Sequence, residues 1–377
     1  MGNEVYFVRG VGSHNGGAEL LLRASAEYAR SRGAVPAADV RRVSHELRRA
    51  WRVAGLWDVP KLEKLSSCGL SLAPRSLAAA AGVYATRHVA ATLDASGFFL
   101  GDQWAASSIA RDARSYGRLS KRGRPIIMLP QAFGPFDRPA IADEARRLLD
   151  QATLIFARDA VSLGHLAALI GNGDDRIAMV PDITIALDSH PVNVTDRIPQ
   201  VAVVPNVNIP ARADGANSRE RYVASLANVC GELERRGLEP ILLAHSLHGD
   251  PEIVREVTAV RPGVRVENPA DGLAAKAIIS RCAGVVAGRY HAIVSALSQG
   301  VPAVAHSWSH KYGELYGDFG IAPQLADPFK PEESVSVLDD LLRDQDLPGV
   351  LVAAQARLST TIGEMWHRVD RAIGSAS

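Results

Sequence analysis

The chain has 377 residues, more than one ordinary hydrophobic core accommodates, so two domains are expected. Hydrophobic residues make up 47% and charged residues 22%, a globular balance that excludes a disordered chain, and a formal net charge of +1 excludes the basic excess of a dedicated nucleic-acid binder. Cys68, Cys230 and Cys282 lie too far apart for a disulfide framework or a zinc site and suit a reducing compartment.

No basic segment followed by an apolar run opens the chain, and no apolar run is long enough to span a bilayer, so a cytoplasmic protein is expected. Residues 4–9 read as a strand, 10–17 as a glycine-rich loop and 18–32 as a helix with Leu21, Ala24 and Tyr28 on one face. The loop, Gly10-Val-Gly-Ser-His-Asn-Gly16, resembles a dinucleotide fingerprint. No clear second strand ending in an acidic residue follows, so nicotinamide is not expected. A tight strand-to-helix turn is the simpler reading, with Asn15 or Gly17 close to a ligand.

Residues 37–75 are arginine-rich and read as helix with loops. The basic stretch from Arg41 to Arg52 suits either a solvated face or an anionic membrane surface. Residues 76–92 read as an alanine-rich helix. Phe98 and Phe99 lie between Gly97 and Gly101, and Asp102 follows, as either a strand-end loop or a plain turn. Residues 107–122 read as a basic helix and 125–129 as a buried strand. Gln131 and Gly134 follow that strand, and a glycine among bulky residues there points to close backbone approach. A helix over 140–151 and a strand over 153–157 lead to Arg158, either a ligand contact or the partner of Asp159 in a surface pair. Asp182 ends the next strand, and 190–199 reads as a linker.

The second half repeats the alternation: a strand over 200–205, a helix over 218–236 and a strand over 239–244. His245, His248 and Asp250 follow without an obvious further partner. His245 is therefore read as a hydrogen-bonding residue, and no metal is expected. Residues 263–267 read as a strand and 273–280 as a helix. The stretch 284–311 then reads as strand, turn, helix, glycine stop and strand. Arg289 and His291 fall in the first turn of its helix, where free backbone N–H groups attract an anion. A guanidinium adds a fork for phosphate or carboxylate, and an imidazole can donate a proton near neutral pH. Helices are expected over 331–343 and 350–373.

This order predicts an α/β protein with two Rossmann-like, doubly wound parallel-sheet domains facing a cleft, over 1–190 and 198–345, with a helix at 346–377 packing back. The layout resembles the GT-B glycosyltransferases.

Gly288-Arg289-Tyr290-His291-Ala292, followed by Gly300-Val301-Pro302 and Lys311, resembles the signature of the polysaccharide pyruvyltransferase family. Gln131 with Gly134-Pro135, Ala157-Arg158-Asp159 with Ser162, and Pro181-Asp182 stand where that family also has motifs. Asn15-Gly16-Gly17-Ala18 is similar to its Asn-x-Gly-Asp with alanine in place of aspartate, and Arg-Tyr-His replaces Arg-Leu-His. The resemblance covers roughly 5–320. It implies transfer of the pyruvyl group of phosphoenolpyruvate to two hydroxyls of a sugar in a cell-surface glycan or its precursor, free or lipid-linked. A cyclic ketal forms and phosphate leaves, with no further cofactor.

On that reading Arg158 and Arg289 hold the two anionic groups of phosphoenolpyruvate and Lys311 adds a charge. Tyr290 lines the site, and His291 protonates the methylene carbon. The base is His245, Asp102 or Asp182. The competing reading is a glycosyltransferase that uses a nucleotide sugar. Such enzymes carry a glutamate in or just after this helix, and the run from Ala292 to Gln299 has no acidic residue.

Overall fold

Short apolar runs buried on both faces are what a parallel sheet demands of its strands, and such runs recur in both halves of this chain. A computed structural model describes residues 4–12, 15–57, 74–187, 197–213, 215, 217–307 and 310–374. Cys68 and most of the linker read at 190–199 lie outside the described residues. The chain divides into two compact units. Unit 1 holds Met1–Ser13, Leu21–Ile183 and Thr361–Ser377, and unit 2 holds His14–Leu20 and Thr184–Thr360.

Unit 1 runs β1 (Val5–Arg9), α1 (Gly16–Ser31, whose first residues belong to unit 2), β2 (Val35–Asp39), α2 (His45–Ala50), β3 (Ala54–Trp57), α3 (Arg75–Ala81), β4 (Val83–Ala85), β5 (Val89–Asp94), β6 (Phe98–Leu100), α4 (Ala106–Ser120), β7 (Ile126–Phe133), α5 (Pro139–Leu149), β8 (Leu154–Ala157), α6 (Ala160–Ile170) and β9 (Ile177–Met179). Among the described residues these strands form a nine-stranded parallel sheet, ordered β4-β3-β2-β1-β5-β7-β8-β9, with β6 pairing β7. All eight residues of β7 are buried. The amphipathic helices α4 and α5 cover the sheet through Ile109, Tyr116, Leu119, Ile141 and Leu148.

Unit 2 runs β10 (Ile198–Val204), α7 (Asn208–Arg212), α8 (Ser218–Arg235), β11 (Glu239–Leu243), α9 (Asp250–Val260), β12 (Arg265–Glu267), α10 (Gly272–Ile279), β13 (Cys282–Ala287), α11 (Tyr290–Leu297), β14 (Ala303–His306), α12 (His310–Asp318), β15 (Leu325–Ala326), α13 (Pro331–Arg343) and α14 (Leu347–Gly374). The last turns of α14 belong to unit 1, where Asp370 accepts from Tyr28 and Arg32 and Trp366 stacks on Tyr28. The six-stranded parallel sheet has the order β12-β11-β10-β13-β14-β15. Its strand order reverses between β10 and β13. In such sheets ligands bind outside the carboxyl ends of the strands at that switch point.

The unit boundaries differ from the expected 1–190 and 198–345. Residues 14–20 cluster with unit 2 because Gly16 and Glu19 hydrogen-bond to His245 and Gly272 there. The reading of 37–75 as helix and loops and of 76–92 as helix is corrected: β2, β3, β4 and β5 run through those stretches. Their sequences, such as VPAAD and AGLW, are alanine- and glycine-rich, weak in β-propensity and not alternating. The second strand missing from the fingerprint reading also exists. It ends in Asp39, but that carboxylate is taken up by Arg41 through a 2.9 Å bond from Nε.

Candidate active site

The switch point of unit 2 is built from the residues just past β10 and β13. A Cβ on Gly288 would lie 2.6 Å from Ile209 Cδ1 and 2.9 Å from Asn206 Cβ, so only glycine fits between the strand ends. Its carbonyl accepts from Asn206 Nδ2 at 2.7 Å and from the Tyr312 hydroxyl at 2.9 Å, which fixes the peptide that leads into Arg289. Arg289 is the N-cap of α11 and makes no side-chain cap bond, since a guanidinium cannot accept.

The Arg289 guanidinium is engaged fork-to-fork by Asp250, with Nε on Oδ2 at 2.9 Å and Nη2 on Oδ1. Asp250 is fully buried and opens α9. Burial pushes its carboxyl above the ordinary range, against the pull of Arg289. Two of the three guanidinium nitrogens assigned to a ligand from sequence are thus taken up by Asp250, and Nη1 remains outside the ion pair.

Next to it, Asn15 Oδ1 caps α1 by accepting from Gly17 N at 3.0 Å, and Gly16 N donates to the His245 carbonyl at 3.0 Å. A Cβ on Gly17 would lie 2.1 Å from His291 Nδ1. One on Gly16 would lie 2.9 Å from the His245 ring, and one on Gly272 2.3 Å from the Gly16 carbonyl oxygen. The glycines of this loop are needed so that backbone can press against two imidazoles. His245 is buried, and among the described residues neither ring nitrogen has a hydrogen-bond partner. Burial first, then His291 and Arg289, push its pKa down to about 3. Tyr290 is buried with its ring edge-on to His291 at 5.4 Å, and Lys311 Nζ lies 5.7 Å from the Tyr290 ring centre and 5.3 Å from that of Tyr312. Arg289, His291, His245, Tyr290, Lys311, Asn15 and Gly17 therefore converge in unit 2.

The remaining sequence-read residues belong to unit 1. Gln131 is fully buried on β7, and neither end of its amide has a partner among the described residues. Its carbonyl accepts from Arg158 N at 3.0 Å. Arg158 is paired with buried Asp182 at 3.4 Å, not with Asp159, which instead caps α6 by accepting from Ser162 N at 2.7 Å. Gly134 serves packing: a Cβ there would lie 2.5 Å from the His165 ring. Asp102 braces the entry to α5, accepting from Asp137 N at 2.7 Å and Arg138 N at 3.2 Å. Among the described residues no group of three His, Cys, Asp or Glu side chains could hold a metal ion, and no helix is long and apolar enough to cross a membrane.

A sequence model of the family described as polysaccharide pyruvyl transferase matches residues 15–310, most of the chain. The chain belongs to that family. No curated protein matches it. Among solved structures, HepE from Anabaena, in complex with UDP and glucose, is 15% identical over 99% of this chain and 100% of its own, with a TM-score of 0.58. MnaA from S. aureus, solved with UDP, is 10% identical over 94% and 91%, with a TM-score of 0.58. The UDP-GlcNAc 2-epimerase of Neisseria meningitidis, bound to UDP-GlcNAc, is 9% identical over 96% and 100%, with a TM-score of 0.56. At these identities the likeness is one of fold, and the fold of this pyruvyl transferase family member is GT-B-like.

Sequence reasoning missed Asn206, Asp250 as an ion-pair partner, Gly272 and Glu19. In this family member the residue after Ala18 supplies a buried carboxylate. Glu19 Oε2 accepts from Gly272 N at 2.7 Å, and burial pushes its pKa up to about 7. Because the folded chain holds this proton more tightly than the unfolded chain does, stability falls as pH rises from about 4.5 to about 7 and is flat above that range. Glu19→Gln keeps an acceptor for Gly272 and removes the charge. It is expected to be more stable than wild type by about 1–3 kcal/mol at pH 8, with the gap closing toward pH 4.5, as read by urea unfolding at several pH values. A pH-independent difference would contradict this assignment.

Proposed function

We propose that this protein transfers the pyruvyl group of phosphoenolpyruvate to two hydroxyls of a sugar, forming a cyclic ketal and releasing phosphate. The observation that carries the reading is the Arg289–His291 pair at the start of α11, on the switch point of unit 2, in a chain of this family. The phosphate is received by the N-terminal end of α11, by Arg289 Nη1 and by Lys311. All three favour an anion, the first because it is the positive end of the helix. Tyr290 holds the imidazole in place from the side. His291 delivers its proton to the methylene carbon, which leaves an oxocarbenium-like centre on the adjacent carbon. A sugar hydroxyl adds to that centre and loses its proton, the carbon–oxygen bond to phosphate breaks, and a second hydroxyl closes the ketal. The sum is phosphoenolpyruvate plus a diol giving ketal plus phosphate, with no oxidant or reductant required.

Of the three candidate bases, His245 is the one with both ring nitrogens unengaged among the described residues. Its depressed pKa keeps it neutral and able to accept a hydrogen bond at any physiological pH. An arriving phosphate dianion offsets the cations that depress it and raises its proton affinity at the moment the hydroxyl must be deprotonated.

Calorimetric titration with phosphoenolpyruvate and, separately, with UDP tests the reading. Phosphoenolpyruvate is expected to bind and UDP to bind at least about tenfold more weakly. Tight UDP binding with no response to phosphoenolpyruvate would replace this reading with a nucleotide-sugar glycosyltransferase.

A further inference from the structure

Unit 1 has a switch point of its own, between β1 and β5, and a pocket of about 610 Å³ opens there. It lies wholly within unit 1, and none of the residues placed in the candidate active site lines it. Its floor is Arg9, held by Asp94 at 2.8 Å and Asp112 at 2.7 Å and lying over the rings of Tyr116 and Phe99 at 4.9 and 5.8 Å. Tyr116 in turn donates to the fully buried Asp94. A guanidinium fixed from two sides in this way makes a rigid floor, built before any ligand arrives.

The walls have two characters. Aromatic rings are part of the lining: Trp104 is 41% exposed and Phe98 37%, although each is an apolar group that folding would ordinarily cover. Arg41, Arg42 and Arg111 line it as well. With Arg9, four guanidiniums meet the carboxylates of Asp39, Asp94 and Asp112, leaving a positive excess. Arg41 and Arg42 come from the stretch that the sequence left open as a solvated face or a membrane contact. The structure instead lines a concave site with them.

A flat, half-exposed ring beside a hydrogen-bonding wall suits a sugar, which is apolar on its C–H face and polar at its rim. The cationic excess suits a negative charge on that sugar. We propose that this pocket binds an anionic saccharide, a hexose ring carrying a phosphate or a carboxylate. The ring stacks on Trp104 and Phe98, and the anion is met by Arg42 and Arg111. As the identity of the acceptor, this rests on the pyruvyl-transfer reading; as a binding site, it stands without it.

The test is calorimetry on the full chain with glucose 1-phosphate, galactose 1-phosphate, the methyl glycosides of glucuronic and galacturonic acid, the corresponding neutral methyl glycosides, and inorganic phosphate. At least one anionic sugar is expected to bind at least about tenfold more tightly than its neutral counterpart and than inorganic phosphate. The phosphate and uronate arms show which anion is recognised. Trp104→Ala and Arg111→Ala, both at exposed positions, are each expected to weaken that binding by at least about tenfold and to change phosphoenolpyruvate binding less than about twofold. Neutral glycosides binding as tightly as anionic ones, or both variants leaving the affinity within about twofold, would overturn the proposal. Sugar-phosphate binding by a protein that ignores phosphoenolpyruvate would uphold the pocket and overturn the transfer reading.

Discussion

His291→Ala is expected to lower turnover by at least about 10³-fold while the dissociation constant for phosphoenolpyruvate rises less than about tenfold. The asymmetry follows from what the imidazole does. It gives up a proton as the transition state forms, whereas Arg289, Lys311 and the N-terminal end of α11 carry the ground-state charge. His245, the other imidazole pressed against the glycine loop, cannot substitute. With a pKa pushed down to about 3, it holds no proton to donate near neutrality. Single-turnover kinetics with a glycoside acceptor, together with calorimetry, separate the two quantities. Near-normal turnover in the variant would remove His291 from the chemistry. Equal losses in binding and turnover would make it a binding residue only.

Asp250→Ala is expected to destabilise the protein by about 3–5 kcal/mol, the cost of stranding a buried guanidinium. Arg289 has a side chain only 12% exposed, and Asp250 takes two of its three nitrogens. Urea unfolding with and without phosphoenolpyruvate checks this. The ligand should restore more stability to the variant than to wild type, because an anion can replace the lost carboxylate. A loss under about 1 kcal/mol would mean that Arg289 reaches solvent and that the pair does not organise the switch point.

The legible part of the fold is the part whose signals are local. The stretch from β13 through α11 to β14 is read correctly because valines between glycines, a four-residue apolar spacing and a glycine before a proline are all visible within twenty-odd residues. The strands at Val35–Asp39 and Val89–Asp94 are not legible. Alanine fills positions that a sheet buried on both sides packs closely, and no alternation marks them.

The same division holds for the site. Arg289 and His291 announce themselves by standing at a helix start after a strand. Their partners do not, since Asp250 lies 39 residues before Arg289 and Glu19 lies 253 residues before Gly272. The reading of Arg158 as a partner of its neighbour Asp159 fails for this reason: the nearer carboxylate in sequence caps a helix, and the more distant Asp182 takes the charge.

The most direct test of the central claim, that phosphoenolpyruvate is protonated at carbon at the switch point of unit 2 and captured by a diol, is to run the reaction in D₂O and weigh the product. With phosphoenolpyruvate and a panel of galactosides and glucosides, including any anionic sugar that unit 1 binds, the ketal is expected to carry one deuterium in its methyl group and to appear with an equal amount of inorganic phosphate. A ketal methyl without deuterium would contradict this account, as would glycosyl transfer from a UDP-sugar that leaves phosphoenolpyruvate unconsumed.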